Sequence, residues 1–465
     1  MRLTLGRREF VALLPLLAAP LTLRAADPDM SAYATAAERI RRAATGSDAS
    51  WQRLVQLTDR FPGRLSGSAS LSGAIEWLLG ELRRDGFDAV RAERVLVPHW
   101  RRGAEQAVVV TPHRHPLTML GLGGSVGTGP DGVEAPLLVV DSFEALTKAG
   151  EAAAGKIVLF NVPFVDGPDL LASYRTVGRY RGGGASAAAK AGAVAALVRS
   201  AGPTTFRSAH TGGMRYEADV KQIPAAAVSG EDADLLQRLF ARGEKPVVRL
   251  RMGAELLPDA ESANVIAEIT GRTSPGEIVL VGGHLDSWDV SPGASDDGGG
   301  VVATWEALRL LKTLGLTPRR TIRFVAFTNE ENGLRGGTAY HDTHRDALAR
   351  HVLAIESDTG VFSPSAFGFT GSPAARETVS RVVTMLEPLG VTSIGARAEA
   401  PDLGPLGRES VPVMSLTGDF RRYFEVHHTT ADTADKIRPE EIAAAAAAIA
   451  TMAYVVADLP EPLAR

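Results

Sequence analysis

At 465 residues, with 45% hydrophobic and 22% charged side chains, the chain has the composition of an ordinary globular protein, long enough for roughly two or three domains. A formal charge of −4 offers nothing for nucleic acid or an anionic membrane surface to hold, so no nucleic-acid partner is expected. With no cysteine, disulfides and thiol nucleophiles are excluded, and any metal site must be built from His, Asp and Glu.

Residues 1–26 are read apart from the fold. Arg2, Arg7 and Arg8 precede an apolar run over residues 10–23, interrupted by Pro15 and Pro20 and followed by Ala25 and Ala26. That is the order of an export signal, too short to span a membrane as a helix. Within it, Gly6-Arg7-Arg8-Glu9-Phe10-Val11 resembles the twin-arginine type. The chain is therefore expected to be exported, periplasmic or extracellular, without stable membrane insertion once the signal is removed.

Residues 27–111 read as the first part of the main domain. A helical pattern over 31–60 places Ile40, Trp51, Leu54, Val55 and Leu57 on one face. The segment FPGRLSGS (61–68) breaks it, and a second helix over 69–85 ends at Gly86, a suitable C′ glycine. Strands follow over 89–97 and 106–111. Between 112 and 257 the chain becomes rich in Gly and Ala, with short strands over 136–141 and 156–161 and an Ala-rich helix over 186–196. No His lies there with Asp or Glu at ligand spacing, and the segment reads as an inserted, β-rich domain. Two motif matches in it lack their structural frame. Gly123-Gly124-Ser125-Val126-Gly127 fits a nucleophile elbow without its strand-to-helix turn or His/Asp partners. Residues 127–132 fit a dinucleotide fingerprint, but Pro130 sits inside it.

Strands over 264–269, 277–281, 321–328, 351–356 and 411–416 then alternate with helices over 300–314, after Gly333, 373–389 and 439–457. Such alternation predicts an α/β fold, a mostly parallel central sheet with helices on both faces, formed by residues 258–465 together with the first part. The strand 277–281 runs into GGHLDSWDVSPGASDDGGG, which presents His284, Asp286, Asp289, Asp296 and Asp297 where an open sheet places its ligands. One imidazole among carboxylates suits zinc and similar divalent cations. Three more polar clusters follow later strands: Asn329-Glu330-Glu331, Glu356-Ser357-Asp358, and His427-His428-Thr429-Thr430-Ala431-Asp432-Thr433.

The ordered set GxHLDS, GASDDGGG, NEE, ESD and HHTTADT resembles the co-catalytic dizinc exopeptidases, the family of bacterial leucyl aminopeptidases and glutamate carboxypeptidase relatives. The similarity runs from about residue 50 to the C-terminus. The stretch AGKIVLFNV, the Ala/Gly-rich segment after it and IPAAAVSGEDADLL resemble a protease-associated domain. The resemblance implies two Zn²⁺ per chain: His284 and Asp358 on one ion, Glu331 and His428 on the other, and Asp296 bridging both. It implies Glu330 as general base, activating a water shared by the ions, and a short peptide cleaved at its terminal bond. Asp286 is the candidate for a carboxylate that fixes the His284 tautomer. His428 fits the family's H-x-x-x-D-T spacing, leaving His427 a structural role, while Asp297 is expected to serve the backbone and the Asp296–Asp297 peptide to be cis. Two alternatives stand beside the peptidase: a dizinc hydrolase of a non-peptide amide, and a non-catalytic receptor-like relative, although such relatives lose ligands or the base. Whether the chain forms a homodimer is left open.

Overall fold

A computed structural model describes residues 30–203 and 206–465. The export signal expected over residues 1–26 lies outside them. The described residues form two eight-stranded sheets. In the first, the strands lie in the order Asp88–Arg101, Glu255–Ile269, Arg320–Phe327, Ser274–His284, His351–Thr359, Val413–Thr417, Ala366–Thr370 and Ser393–Gly395. Its middle four strands are parallel, and antiparallel strands flank them. The fold is α/β, as the alternation of the sequence predicts.

The central strands are apolar throughout because both faces are covered. On Ser274–His284, Val279 and Val281 enter one core while Ile278 and Leu280 enter another across the sheet, the two-residue period of a strand. Helix Pro439–Asp458 is long and apolar enough to cross a membrane, yet 83% of its apolar window is buried inside the protein. It is a core helix, apolar all round because it packs beneath the sheet against Gly299–Thr313.

The second sheet takes in Glu105–Thr111 through Val247–Met252 and has its own cores on its two faces, Ile157 and Leu159 on one side and Val158 and Phe160 on the other. It therefore begins at Glu105, before residue 112, because Glu105–Thr111 pairs with Val247–Met252 and not with the first sheet. Its entry and exit are neighbours. The ribbon of Asp88–Arg101 with Glu255–Ile269 ends on the pair Arg101 and Glu255; Gly253 N then donates to Ala104 O at 2.8 Å, and Glu105 opposite Met252 opens the second sheet.

Local readings differ in two places. The helical pattern over 31–60 is two helices, Ser31–Thr45 and Ala49–Arg60. The Ala-rich helix occupies Leu170–Lys190, not 186–196. Alanine favours helix by propensity, but Gly192 at φ 81° ends the run and Ala195–Arg199 is a buried strand. Gly86 does end its helix with positive φ, at 73°.

Candidate metal centre

Every cluster singled out in the sequence lies at the same edge of the first sheet. His284 is the last residue of Ser274–His284, Asp296 and Asp297 precede helix Gly299–Thr313, Glu330 and Glu331 follow Arg320–Phe327, and Asp358 ends His351–Thr359. His427 and His428 come from the loop after helix Phe420–Val426. The helix and strand approach so closely that a Cβ on Gly300 would lie 1.6 Å from Ser357 O, so only glycine fits there. The Asp296–Asp297 peptide is cis, in keeping with the family expectation.

Asp296 is the centre of the arrangement, and its two oxygens face different partners. Oδ1 lies 3.2 Å from His284 Nε2, which is 3.9 Å from Asp358 Oδ1. Oδ2 lies 3.2 Å from His428 Nε2, which is 3.1 Å from Glu331 Oε2. Ligand atoms around a tetrahedral ion with bonds of about 2.0–2.2 Å sit roughly 3.3–3.6 Å apart; the contacts here run from 3.1 to 3.9 Å, and His284, Asp296 and Asp358 lie within reach of one ion, as do Asp296, His427 and His428. Asp296 Oδ2 is buried and makes no hydrogen bond, although two imidazole nitrogens converge on it.

The electrostatics ask for positive charge. Burial pushes Glu330, Glu331, Glu356, Asp402 and Asp297 well above the usual carboxylate range, and each repels its neighbours further. Asp358 is pushed up to about 6 by burial and then by Asp296. Asp296 is the exception: burial would raise it, but His284, His428 and His427 hold it well below the usual range. Buried carboxylates this crowded cannot all ionise unless cations join them, and the nitrogen and oxygen donors present fit such ions.

Two expected roles change on inspection. Asp286 meets His284 through its main-chain carbonyl, which faces Nδ1 at 3.0 Å, while its nearer carboxylate oxygen stays 3.8 Å away. That carboxylate is occupied elsewhere, accepting Glu330 N at 3.0 Å and Glu331 N at 3.3 Å, so it shapes the Glu-Glu turn. His427, read as structural, also reaches Asp296 Oδ2, at 3.4 Å, and its ring stacks on His428 with centroids 3.6 Å apart. It does not share the Glu331 contact that His428 makes. Asp297 serves the backbone as expected, accepting His284 N and Gly300 N, each at 2.9 Å.

Other contributors escaped the sequence reading. Asp432 accepts Ser295 N at 2.7 Å and Asp296 N at 3.1 Å, bracing the main chain at Asp296; it is the Asp of the H-x-x-x-D-T spacing. Tyr423 donates to Asp358 Oδ1 at 3.2 Å. Arg64, from FPGRLSGS, is fully buried and gives its guanidinium hydrogens to the carbonyls of Leu285, Pro292, Gly293 and Phe61. Burial pulls it down to about 10, still charged at neutral pH, and the nearby Asp432, Asp286 and Asp297 favour that charge. Arg64→Leu should lower stability by at least about 3 kcal/mol, because it leaves several buried acceptors unpaired beside the metal loop; the midpoint of urea unfolding measures it.

A cleft of about 560 Å³ opens over these groups, lined by Asp296, Glu330, Glu331, Asp358 and His428 and, from the second sheet unit, by Tyr174, Arg181 and Met214. A crowded set of imidazole and carboxylate donors under a cleft at the carboxyl edge of an α/β sheet defines a candidate metal-dependent enzyme.

Sequence and structure comparisons specify it further. The pattern of Peptidase family M28 matches residues 264–453, and that of the PA domain matches residues 132–236. Carboxypeptidase Q of Bos taurus is 44% identical over 416 residues, covering 90% of this chain and 87% of that protein, and human carboxypeptidase Q is 43% identical over the same coverage. A crystal structure of a Peptidase M28 precursor from Shewanella amazonensis superposes with a TM-score of 0.90 at 38% identity, over 94% of this chain and 99% of that one. A zinc aminopeptidase from Bacillus subtilis shares the fold, with a TM-score of 0.66 at 20% identity over 89% of this chain and 98% of that one. The chain belongs to Peptidase family M28, with a PA domain set into it, and is a metallopeptidase acting on peptide termini.

Proposed function

We propose that the chain hydrolyses the terminal peptide bond of short peptides using two Zn²⁺ per chain. The observation that carries this reading is Asp296, whose two oxygens face two separate donor sets. His284 and Asp358 make up one set, and Glu331 and His428 the other. His428 is preferred to His427 because it touches both Asp296 and Glu331, whereas His427 touches Asp296 and packs between Tyr174 and Tyr423. When bound, paired zinc ions acidify a water and polarise the scissile carbonyl. Glu330 lines the cleft and is placed by Asp286 through its main-chain N–H. Burial and the charges of Glu331, Asp358 and Asp402 raise its proton affinity, which suits a group that takes a proton from the attacking water and passes it to the leaving amine.

Arg181 favours substrates with a free carboxyl end. It lines the cleft, donates to Tyr174 Oη at 2.7 Å, keeps a buried Nε without a partner, and pairs with no acid among the described residues. A carboxylate entering the cleft completes its fork of donors. Arg181→Ala is expected to raise KM for free dipeptides by roughly 10-fold or more, the value of one charge-assisted hydrogen bond, with little effect on C-terminally amidated ones. Equal effects on both substrates would remove Arg181 from recognition. The functional reading as a whole is tested by metal analysis with turnover of free, N-blocked and C-blocked dipeptides. One ion or none in active protein would refute it.

The same reading takes residues 1–26 as an export signal, residues 27–104 and 253–465 as the catalytic unit, and the sheet from Glu105 to Met252 as an insert that narrows the cleft. Export is supported by the twin-arginine-like start, Gly6-Arg7-Arg8.

A further inference from the structure

One wall of the metal centre comes from the PA-containing unit, at residues 209–214. His428 has a positive φ of 60°. Its carbonyl accepts Thr211 N at 2.9 Å, and its Nδ1 faces Thr211 O at 3.4 Å. Thr211 thus holds both the main chain and the ring of a single residue that lies 217 positions further along the chain.

Thr211 is itself buried and tethered. Its hydroxyl donates to Gly121 O at 2.7 Å and accepts from Arg102 Nη2 at 3.3 Å. Arg102 also donates to Gly121 O at 2.5 Å and to both oxygens of Asp289, at 2.6 and 2.9 Å, which ties this wall to the loop between His284 and Asp296. The neighbouring segment adds a second brace. Gly123 N donates to Gly212 O at 3.0 Å, and a Cβ on Gly123 would lie 1.9 Å from the Trp288 ring, so glycine is required for Trp288 to seat there. Trp288 stands edge-on to His428 at 5.7 Å, and its main-chain N–H donates to Glu331 Oε1 at 3.1 Å.

An imidazole that offers Nε2 to a cation carries its proton on Nδ1 and needs an acceptor on that side. For His284 the acceptor is Asp286 O, two residues away in its own loop. For His428 it is Thr211 O, supplied by a different unit of the protein. We infer that the PA-containing unit is a working part of one metal subsite only: Thr211 positions His428 and fixes its tautomer. Affinity for the cation facing His428 and Glu331 then depends on how this unit docks, whereas affinity on the His284 side does not. The inference rests on the reading of His428 as a ligand.

Titrating metal-free protein with Zn²⁺ by calorimetry tests it. Thr211→Ala, which removes both side-chain tethers, is expected to weaken one of the two sites about 10–100-fold and leave the other unchanged. Thr211→Ser keeps the hydroxyl and is expected to bind like the unmodified chain. Should Thr211→Ala fail to fold, Arg102→Gln is expected to shift the same site in the same direction. A role confined to stability would lower the unfolding temperature without splitting the two affinities, and that result, or equal weakening of both sites, overturns the inference. His428→Ala separates the two levels of argument. If it keeps both sites at full affinity, the ligand reading fails; if it loses one site while Thr211→Ala loses none, only the role of Thr211 fails.

Discussion

Asp296→Ala is expected to release both zinc ions together and to abolish turnover. Under the proposed reading each other ligand belongs to one donor set, whereas Asp296 turns Oδ1 to the His284 side and Oδ2 to the His428 side. Its loss leaves an imidazole and a carboxylate on each side, too few for a tight site, and removes the ionised acid around which three histidines gather. Activity should fall by more than the roughly 10⁴-fold at the upper end of general-base contributions. Metal analysis after dialysis, with circular dichroism to confirm the fold, measures the effect. His284→Ala and His428→Ala should each release one ion. If Asp296→Ala keeps one ion at full affinity, the carboxylate is not shared and the site is two independent ones.

Glu330→Gln separates chemistry from metal binding. The amide preserves size and the main-chain contact to Asp286, but it cannot accept a proton. A fall in kcat of roughly 10²–10⁴-fold with KM little changed is expected, because the lost interaction exists only in the transition state. Both ions should remain, since Glu331, not Glu330, contacts His428. Near-normal turnover would remove Glu330 from the mechanism. Loss of an ion would mean that Glu330 and Glu331 exchange roles.

The α/β sheet and the polar clusters at its edge were legible because they are local. Each central strand is an apolar run buried on both faces, and three of the four lead into a short polar cluster; the His427–His428 cluster follows the fourth only after helix Phe420–Val426. What was not legible depends on meetings between distant segments. Asp286 was expected to reach His284 through its carboxylate; which of its oxygens meets the ring is decided by the Glu330–Glu331 turn folding over that carboxylate. Thr211 belongs to no motif, since it acts through its main chain. Gly123 and Gly124, which fit an irrelevant nucleophile pattern, are explained by tertiary structure and backbone: Trp288 packs on Gly123, and Gly124 has a φ of 90°. The Ala-rich stretch failed for another reason: alanine suits a helix and a tightly buried strand alike, and only Gly192 marks the change.

The continuity of the ladder through Arg101 and Glu255, Ala104 and Gly253, and Glu105 and Met252 has a bearing on the protein's ancestry. A unit whose two ends are adjacent rungs can be gained in one genetic event at the tip of a hairpin, without rethreading the host, since loop tips tolerate insertion best. Losing it again is another matter. Trp288 rests on Gly123 and the backbone of His428 is bonded to Thr211, so part of the first sheet's site is supported by the second unit. Deleting the unit would reclose the hairpin but remove Gly123 and Thr211, the partners of Trp288 and of the His428 main chain.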